Sequence, residues 1–289
     1  MKKTTRLRQL IEREEIVVIP GAYDPFLARC VEQAGFEAVY MTGAGVSHSV
    51  LGMPDLGLLT FSEMVERAAR IADVTEIPLL ADADTGYGNA INVIRTVKGY
   101  ERAGVAGLHI EDQVLPKKCG HFDQKAVIPL DEMLGKLKAA LDARQDPDFL
   151  IVARTDARTA VSLEEAIARA QAFAETGVDV VFVESPTSRE EMARICRAVK
   201  TPLLANMVET GLTPILPAAD LQALGYGAAI YPGALGRFIA KQVAEFLRVF
   251  RAEGTTLSQM DRMFTFKQQN EVVGLSRYLE LSTRYGVKP

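Results

Sequence analysis

The sequence has no tryptophan, and among its 289 residues it has only three cysteines and three histidines. Three cysteines cannot build a disulfide framework, so a small secreted fold held together by disulfides is excluded. Cys30 and Cys196 fall at core-like positions of predicted helices and are expected to be inert packing residues. Cys119 alone lies outside an amphipathic helical pattern, which makes it the cysteine of functional interest.

The sequence also lacks a surplus of positive charge and any long hydrophobic run. Its net charge of −4 gives no basic surface for nucleic acid, and 48% hydrophobic with 24% charged residues is typical of a soluble globular protein. The longest apolar stretches are about five to eight residues, and the initial segment MKKTTRLRQLIEREE is charged. We therefore expect no membrane span, no signal peptide and a cytoplasmic location.

Apolar, β-branched runs alternate along the chain with longer segments of helical period, a pattern typical of βα units around a parallel sheet. Eight such units predict a (β/α)₈ barrel of the TIM type, which usually takes about 250 residues as one domain. Each predicted strand is expected to be followed by a helix. The predicted strands lie at 16–22, 38–44, 78–84, 107–113, 149–157, 180–186, 202–208 and 228–233.

The predicted helices have recognisable ends, and the chain continues beyond the last of them. Ser162 and Ser188 each precede a Glu-rich first turn and are predicted N-caps. No Pro/Ser-rich linker divides the chain, so we expect one domain over 1–289, with 255–289 as a C-terminal helical extension. The extension has an apolar stripe that should pack on the barrel or on a neighbouring subunit, formed by Met260, Met263, Phe264 and Phe266.

Polar residues stand at the carboxyl ends of six predicted strands that are otherwise apolar. In a (β/α)₈ barrel these ends form the catalytic face, where side chains of different strands converge. One strand-end aspartate could equally be a helix cap or a loop ion pair, but the pattern recurs from strand to strand. The residues concerned are Thr42, Asp82, Asp84, Glu111, Asp112, Arg154, Asp156, Glu184 and Asn206.

Four carboxylates in this region suggest a bound cation. Asp82 and Asp84 are two residues apart and so point to one side of a strand, and Glu111 and Asp55 could supply further oxygens. Carboxylates so close would raise one another's pKa unless they shared a positive ion. Oxygen ligands, without histidine or cysteine at metal spacing, favour Mg²⁺ or Mn²⁺ over Zn²⁺. The alternative is that an aspartate merely hydrogen-bonds the turn DADTGYG.

Two loops add candidate groups to this face. After the second strand, the backbone of TGAG (42–45) could receive a carboxylate, although it lacks the spacing of a dinucleotide site. After the fourth, KKCGH (117–121) places Cys119 beside lysine and histidine, which lower a thiol pKa, and the alternative is a solvated charged loop. His48 could be a loop residue, and His109 within the fourth strand is expected to be a hydrogen-bonded core imidazole.

Eight motifs follow one another along the chain: YMTGAGV (40–46), LGMPDLGL (51–58), DADTGYG (82–88), IEDQ (110–113), KKCGH (117–121), ARTDA (153–157), VESP (183–186) and LANM (204–207). In this combination and order the sequence resembles the isocitrate lyase and phosphoenolpyruvate mutase superfamily over essentially its whole length. The resemblance implies an α/β barrel whose last helix is exchanged between subunits, a homotetramer, Mg²⁺ at the strand ends and a mobile loop, here KKCGHFDQK.

Position by position, the resemblance also implies roles for individual residues. Asp82 and Asp84 would hold Mg²⁺, with Glu111 and Asp55 in or near its coordination shell. Cys119 resembles the acid of the lyase branches, and because the phosphonate branches characteristically lack it, its presence favours C–C cleavage. The implied substrate-binding residues are Thr42, Gly43, Ala44, Gly120, Arg154, Glu184, Asn206 and Arg237. The implied catalytic residues besides Cys119 are Lys118, His121, Tyr40, Arg154 and Glu184.

These parts fit a retro-aldol cleavage of a small 2-hydroxy dicarboxylate. The expected partners are this small-molecule substrate and further copies of the chain, with no nucleic acid and no membrane. The metal would lower the hydroxyl pKa, and collapse of the alkoxide would release a 2-oxo acid. Cys119 would protonate the enediolate at carbon, while Arg154, Lys118 and His121 offset developing negative charge. Tyr40 is the family's candidate for removing the hydroxyl proton, and the alternative is an aromatic residue of the barrel interior.

The C-terminal region bears on substrate size. Methylisocitrate lyases resemble this chain but hold a third carboxylate with two arginines, of which Arg237 matches the first, while Phe266 stands in place of the second and would form an apolar wall. With VESP and NMVETG, this favours a 2,3-dimethylmalate-type substrate that yields pyruvate and propionate. The alternatives are a methylisocitrate lyase, an oxaloacetate hydrolase, a phosphonate mutase or hydrolase, a Schiff-base aldolase using Lys117 or Lys118, and a catalytically silent barrel.

Overall fold

The computed structural model describes residues 1–120 and 125–286, and a barrel of parallel strands forms its centre. The strands are β1 (Val17–Ala22), β2 (Val39–Met41), β3 (Leu79–Asp82), β4 (Gly107–Glu111), β5 (Leu150–Thr155), β6 (Val180–Val183), β7 (Leu204–Asn206) and β8 (Ala228–Tyr231). They follow one another around the barrel in chain order, and β1 pairs with both β2 and β8. Each lies inside a predicted range, so the predicted TIM-type α/β fold is confirmed.

The barrel is joined least extensively between β6 and β7. An isolated parallel bridge connects Val181 to Leu203, and the Val181 N–H donates to the carbonyl of Pro202 at 2.9 Å. Pro202 has no N–H to give back. The proline therefore removes one backbone donor from this junction.

Apolar side chains fill the barrel and seal its amino-terminal end. Helix α1 (Lys3–Glu12) directs Leu7, Leu10 and Ile11 into a buried cluster with the strand residues Val17 and Ile19. Because this end is covered, a ligand can reach the interior from the opposite end, where the strands carry their polar residues.

Helices follow every strand, as predicted, and those from α2 to α10 bury apolar residues against the barrel or against one another. Their bounds are α2 (Pro25–Gln33), α3 (Gly43–Val46), α4 (Phe61–Val74), α5 (Ala90–Arg102), α6 (Leu130–Ala143), α7 (Ala157–Ala160), α8 (Leu163–Glu175), α9 (Arg189–Ala198), α10 (Ala218–Leu224), α11 (Ala234–Glu253), α12 (Phe266–Val272) and α13 (Leu275–Arg284). Ser162 and Ser188 cap α8 and α9 as predicted. The expectation of a loop at His48 is wrong, since it lies in a π-helix, Ser47–Leu51.

The C-terminal helices are poorly covered by the rest of the chain. None of the 20 residues of α11 is buried, and Met260, Met263 and Phe264 in and after a 3₁₀ helix (Leu257–Arg262) are 60%, 40% and 60% exposed. The expectation that this stripe packs on its own barrel is therefore wrong, and packing on a neighbouring subunit stays a prediction. Among the described helices, none combines the length and apolar character that a membrane span requires.

Candidate active site

A cavity of about 630 Å³ opens at the carboxyl ends of the strands. Asp84 and Glu111 lie behind its wall, where they contact the lining residues Lys117 and Arg154. The strand-end convergence expected from the sequence is therefore present. The predicted site residues in the lining are Tyr40, Thr42, Ala44, Asp55, Asp82, Cys119, Gly120, Arg154, Glu184, Asn206 and Arg237.

Asp82, the last residue of β3, is held by two backbone donors. Its Oδ2 accepts from the Gly43 N–H at 3.1 Å, and its Oδ1 accepts from the Asp84 N–H at 2.9 Å. Burial raises the pKa of Asp82, but His109, Lys117 and Arg154 lower it to about 2. Because burial lowers the pKa of His109 to about 4, this imidazole is neutral at pH 7, and the two cationic side chains keep Asp82 ionised.

The ammonium group of Lys117 lies among the carboxylates that were predicted to hold a metal. Its Nζ is 2.6 Å from Oδ1 of Asp55 and 2.6 Å from Oδ1 of Asp84. Burial lowers the pKa of Lys117, but attraction by these carboxylates, Glu111 and Asp82 raises it well above its usual value. Burial raises the pKa of Asp84 to about 6 in spite of Lys117. Lys117 is therefore a charged partner of the acidic cluster.

This ammonium bears on the metal prediction. In the part of the chain that the structure describes, no three histidine, cysteine, aspartate or glutamate side chains are grouped as a metal site requires. The donor chemistry still fits a hard divalent cation, because Asp55, Asp82, Asp84 and Glu111 offer oxygen alone. Moreover, the buried Glu111 Oε1 has no hydrogen-bond partner among the described residues. These residues are chemically suitable ligands for Mg²⁺, and the Mg²⁺ ligand set stays a prediction.

Arg154, near the end of β5, is surrounded by three carboxylates. Its Nη1 lies 3.2 Å from Glu111, its Nε 2.9 Å from Asp156 and its Nη2 3.2 Å from Glu184. Its guanidinium carbon lies 5.0 Å from the centre of the Phe182 ring. Burial lowers the pKa of Arg154, but the carboxylates raise it well above its usual value. The result is a fixed cation at the cavity wall, suited to binding a carboxylate.

Glu184 and Asn206 form a hydrogen-bonded pair beside Arg154. Asn206 Nδ2 donates to Glu184 Oε2 at 2.9 Å, and Glu184 Oε1 accepts from the Ser185 N–H at 2.7 Å. Asn206 Oδ1 is buried without a hydrogen-bond partner in the described chain. In this arrangement Asn206 offers a ligand an acceptor, which suits a hydroxyl group of the substrate better than a carboxylate.

The segment that contains Cys119 is fixed through its backbone. Gln113 Nε2 donates to the Lys118 carbonyl at 2.9 Å and its Oε1 accepts from the Lys118 N–H at 3.0 Å. The Cys119 N–H donates to the carbonyl of Asp55 at 3.3 Å. These bonds hold Cys119 at the cavity. His121, the other group expected from this loop, lies outside the described residues.

Gly120 is packed too tightly for any larger residue. A Cβ at this position would lie 2.4 Å from Arg154 Nη2 and 2.7 Å from Glu184 Cγ. Ser185 Oγ donates to the Gly120 carbonyl at 3.1 Å. Glycine is therefore required for the loop backbone to approach the strand-end residues.

The 42–44 backbone is partly used within the protein. The Gly43 N–H donates to Asp82, and the Thr42 hydroxyl accepts from the Gly45 N–H at 3.4 Å. Ala44 lines the cavity. The predicted binding of a substrate carboxylate by the Gly43 N–H would have to compete with Asp82.

Tyr40 and His109 share a buried contact inside the barrel. Their rings are stacked, and Tyr40 Oη lies 2.7 Å from His109 Nε2. Burial raises the pKa of Tyr40 well above its usual value, so the phenol keeps its proton at neutral pH. Tyr40 is therefore an interior aromatic residue that also lines the cavity, and its role in removing the hydroxyl proton stays a prediction. The prediction of a hydrogen-bonded core imidazole at His109 is confirmed.

The mouth of the cavity is partly apolar. Val208, Ile239 and Val243 line it, and Arg237 Nη1 lies 3.1 Å from a carboxylate oxygen of Glu209. Phe266 is 86% exposed at the start of α12 and is absent from the lining that the described chain provides. The prediction that Phe266 forms an apolar wall of the site is therefore wrong for the same chain, and Val208, Ile239 and Val243 supply the apolar lining instead.

Two lysines of this site were not recognised in these roles from the sequence. Lys117 neutralises the acidic cluster, and Lys125 Nζ lies 2.7 Å from Asp156 Oδ1. Their position on either side of Cys119 in the motif KKCGHFDQK was the available signal. Asp112 was included with the strand-end group but serves the fold, since its Oδ2 accepts from Arg169 at 3.1 Å.

Comparisons with known proteins identify the family of this chain and proteins of the same fold. The model of the family described as phosphoenolpyruvate phosphomutase matches residues 7–250. The chain is 47% identical over 285 residues to 2,3-dimethylmalate lyase of Eubacterium barkeri, covering 99% of both. It is 46% identical over 272 residues to 2-methylisocitrate lyase of Aeropyrum pernix, covering 94% of this chain and 87% of that one. The solved structure of oxaloacetate acetylhydrolase with 3,3-difluorooxalacetate aligns at a TM-score of 0.95 and 38% identity, covering 99% of this chain and 98% of that one.

Proposed function

The chain belongs to the phosphoenolpyruvate phosphomutase family and is a carbon–carbon lyase, and we propose that its substrate is a 2-hydroxy dicarboxylate of the 2,3-dimethylmalate type. Retro-aldol cleavage of that substrate gives pyruvate and propionate. The observation that carries the proposal is that Cys119, Asp82 and Arg154 line one cavity. A proton donor, an acidic cluster and a fixed cation are thus within reach of one small anion.

In this proposal the two sides of the cavity bind different parts of the substrate. Arg154 binds a carboxylate through its guanidinium group, which the surrounding carboxylates already hold in place. Asn206 Oδ1, which is buried without a partner in the described chain, accepts from the substrate hydroxyl. Val208 and Ile239 contact the methyl groups. Two methyl groups and two carboxylates match this mixture of apolar and polar lining.

Proton transfer is assigned to two residues. Cys119 delivers a proton to carbon of the enediolate, as a general acid. Tyr40 is the proposed acceptor of the hydroxyl proton; because burial raises its pKa well above the usual value and lowers that of His109 to about 4, its phenolic proton would have to leave to a group other than His109. Lys118 and His121 belong to the same loop as Cys119 and are proposed to offset negative charge near the thiol.

We propose Mg²⁺ as the metal, with Mn²⁺ as a substitute, held by Asp82 and Asp84 with Glu111 and Asp55 nearby. When bound, the ion would polarise the substrate hydroxyl and its adjacent carboxylate. The residues of the chain keep Asp82 ionised, because Lys117 and Arg154 lower its pKa to about 2 against the effect of burial.

One observation favours a second candidate, cleavage of methylisocitrate to pyruvate and succinate. Arg237 lines the cavity and is half exposed, so it could meet a third carboxylate. Its ion pair with Glu209 at 3.1 Å opposes this, since a substrate would have to replace that partner. A Schiff-base aldolase using Lys117 is disfavoured, because attraction by the acidic cluster raises the pKa of Lys117 and keeps its amine protonated despite burial.

A substrate panel tests the assignment. With Mg²⁺ present, kcat/KM for 2,3-dimethylmalate is expected to exceed that for methylisocitrate by roughly ten-fold or more, because a third carboxylate meets an already paired arginine. Release of 2-oxo acid is the measurement, with oxaloacetate included to detect hydrolysis to oxalate. The Arg237→Gln variant should lower methylisocitrate turnover more than dimethylmalate turnover. Preference of the parent for methylisocitrate would establish the second candidate instead.

We also propose that the chain assembles as a homotetramer in the cytoplasm. The apolar side chains of α11 support this, since Phe238 is 65% and Leu247 52% exposed. Light scattering after size-exclusion chromatography is expected to give a mass about four times that of the chain. Phe238→Glu with Leu247→Glu should shift that mass downwards, because charges buried at an interface lose their hydration. A parent that elutes as a monomer would contradict the assembly.

A further inference from the structure

Lys125 is a buried cation that links the loop of Cys119 to the end of β5. Its side chain is 1% exposed, its Nζ lies 2.7 Å from Oδ1 of Asp156, and the same Nζ donates to the carbonyl of Gly120. A lysine is seldom buried unless its charge is paired. The ammonium therefore links two elements, the segment that contains Cys119 and the end of β5.

Asp156 is a rigid partner for this lysine. Its Oδ2 accepts from Arg154 Nε at 2.9 Å, and its Oδ1 accepts from Arg154 Nη2 at 3.2 Å. Its backbone N–H donates to Asp112 Oδ1 at 2.9 Å. Asp156 is 0% exposed, so water cannot solvate its carboxylate in place of Lys125. Loss of the ammonium would leave a buried negative charge with one cationic partner fewer, which is destabilising.

The charge around Arg154 depends on this second cation. Arg154 contacts the carboxylates of Glu111, Asp156 and Glu184. Three carboxylates around one guanidinium group leave an excess of negative charge, which repels an anionic ligand. The ammonium of Lys125 offsets the charge of Asp156 and so reduces this excess, which makes Arg154 more attractive to a carboxylate in the cavity.

The second contact of Lys125 fixes the backbone next to the thiol. The Gly120 carbonyl receives hydrogen bonds from Lys125 and, at 3.1 Å, from the Ser185 hydroxyl. Gly120 packs against Arg154 and Glu184 with no room for a Cβ. A shift of Gly120 therefore moves Cys119, the residue directly before it.

We propose that Lys125 is a positioning residue that holds Cys119 at the cavity and keeps Arg154 available to an anionic substrate. The first role concerns the chain alone. The second rests on the proposed lyase function, because it requires a carboxylate substrate. The two roles predict different defects when Lys125 is replaced. Loss of the first role should expose the Cys119 thiol and lower kcat, and loss of the second should raise KM.

Lys125→Met is the direct test. Without substrate, iodoacetamide is expected to label Cys119 roughly ten-fold faster than in the parent, because a contact that fixes the segment is lost. With 2,3-dimethylmalate, kcat should fall roughly 10²-fold, since displacement of a reacting group by about 1 Å has such a cost, and KM should rise. The matched control is Lys138→Met, on the exposed face of α6, which should behave like the parent. Thermal unfolding of each variant shows whether it is folded.

A double variant separates the two roles and covers the case in which Lys125→Met does not fold. Lys125→Met with Asp156→Asn removes both charges of the buried pair, which proteins tolerate better than the loss of one. KM should return towards the parent value, while labelling stays fast and kcat stays low. Labelling at the parent rate in both variants would overturn the positioning role. If the parent lacks lyase activity, the labelling rates still decide that role, so the two failures are distinguishable.

Discussion

Cys119→Ser is expected to lower kcat at least about 10²-fold, the factor typical of removing a general acid. A serine hydroxyl is a far weaker acid than a thiol, so protonation at carbon should fail while binding persists. Binding should persist because Arg154 and Asp82 are held by contacts that do not involve this side chain. Steady-state kinetics should therefore show the loss in kcat, with KM and the affinity for pyruvate near the parent values.

Alkylation supplies a second measurement on the same thiol. Iodoacetamide should inactivate the parent, and substrate or product should slow that reaction by filling the cavity that Cys119 lines. The other cysteines are suitable controls. Burial raises the pKa of Cys30, and burial raises the pKa of Cys196 to about 11, so both remain thiols and react slowly at neutral pH. Cys30→Ser and Cys196→Ser should keep parental kcat.

The opposite outcome has a clear meaning. If Cys119→Ser turns over within a few-fold of the parent while pyruvate still binds, another group supplies the proton. The fold and the family would stand, but the acid assignment and the role of Lys125 in catalysis would both fall. Measurement of solvent-derived hydrogen in the propionate product would then locate the source.

The fold was predictable because hydrophobic periodicity and the polar residues at the strand ends both predict a parallel β/α barrel. Eight apolar runs such as those of β1 and β6 fit strands buried on both faces, and capped helices such as α8 and α9 fit between them. The end of the pattern was less predictable. The apolar side chains of α11 satisfy helical periodicity, but periodicity does not say which surface covers them.

The sequence predicted which residues lie in the site better than it predicted the hydrogen bonds between them. Residue type and strand position brought Asp82, Arg154 and Glu184 to one face. They could not show that the Gly43 N–H already donates to Asp82, or that Asn206 Nδ2 is engaged by Glu184. Such contacts depend on distances of a fraction of an ångström between strands, which spacing along one strand does not encode.

Two lysines account for most of the remaining difference between the site expected from the sequence and the site in the structure. From the sequence, a lysine beside Cys119 could be a solvated charge, a nucleophile or a partner of the thiol. The structure buries Lys117 among carboxylates and Lys125 against Asp156. A flexible side chain of this length reaches groups that are distant in sequence, so its partner cannot be read from its neighbours. The acidic excess that suggested a metal is thus offset in part by the chain's own cations.

Loss of a carboxylate that is proposed to bind Mg²⁺ should have the largest effect on turnover. In Asp82→Ala, kcat is expected to fall roughly 10³-fold or more, because Lewis-acid stabilisation of several kcal/mol corresponds to such a factor. EDTA should have the same effect on the parent, and added Mg²⁺ should reverse it. Binding of Mn²⁺, followed by electron paramagnetic resonance, measures the site independently of activity and should weaken in the variant.

Stability has to be separated from metal binding in this test. The Asp82 carboxylate accepts from the N–H groups of Gly43 and Asp84, and each buried donor left without a partner costs about 1–3 kcal/mol. Asp84→Asn is therefore the cleaner variant, because asparagine keeps the size of the side chain and tolerates the positive φ of 46° at this position, while Lys117 keeps its partner Asp55. It should lose Mn²⁺ affinity with little change in the unfolding temperature. The exposed Asp131 on α6 provides the matched control, Asp131→Asn, which should bind Mn²⁺ like the parent. Full activity of the parent in EDTA, with no Mn²⁺ signal, would contradict the metal assignment. Lys117 would then be the cation that neutralises the acidic cluster.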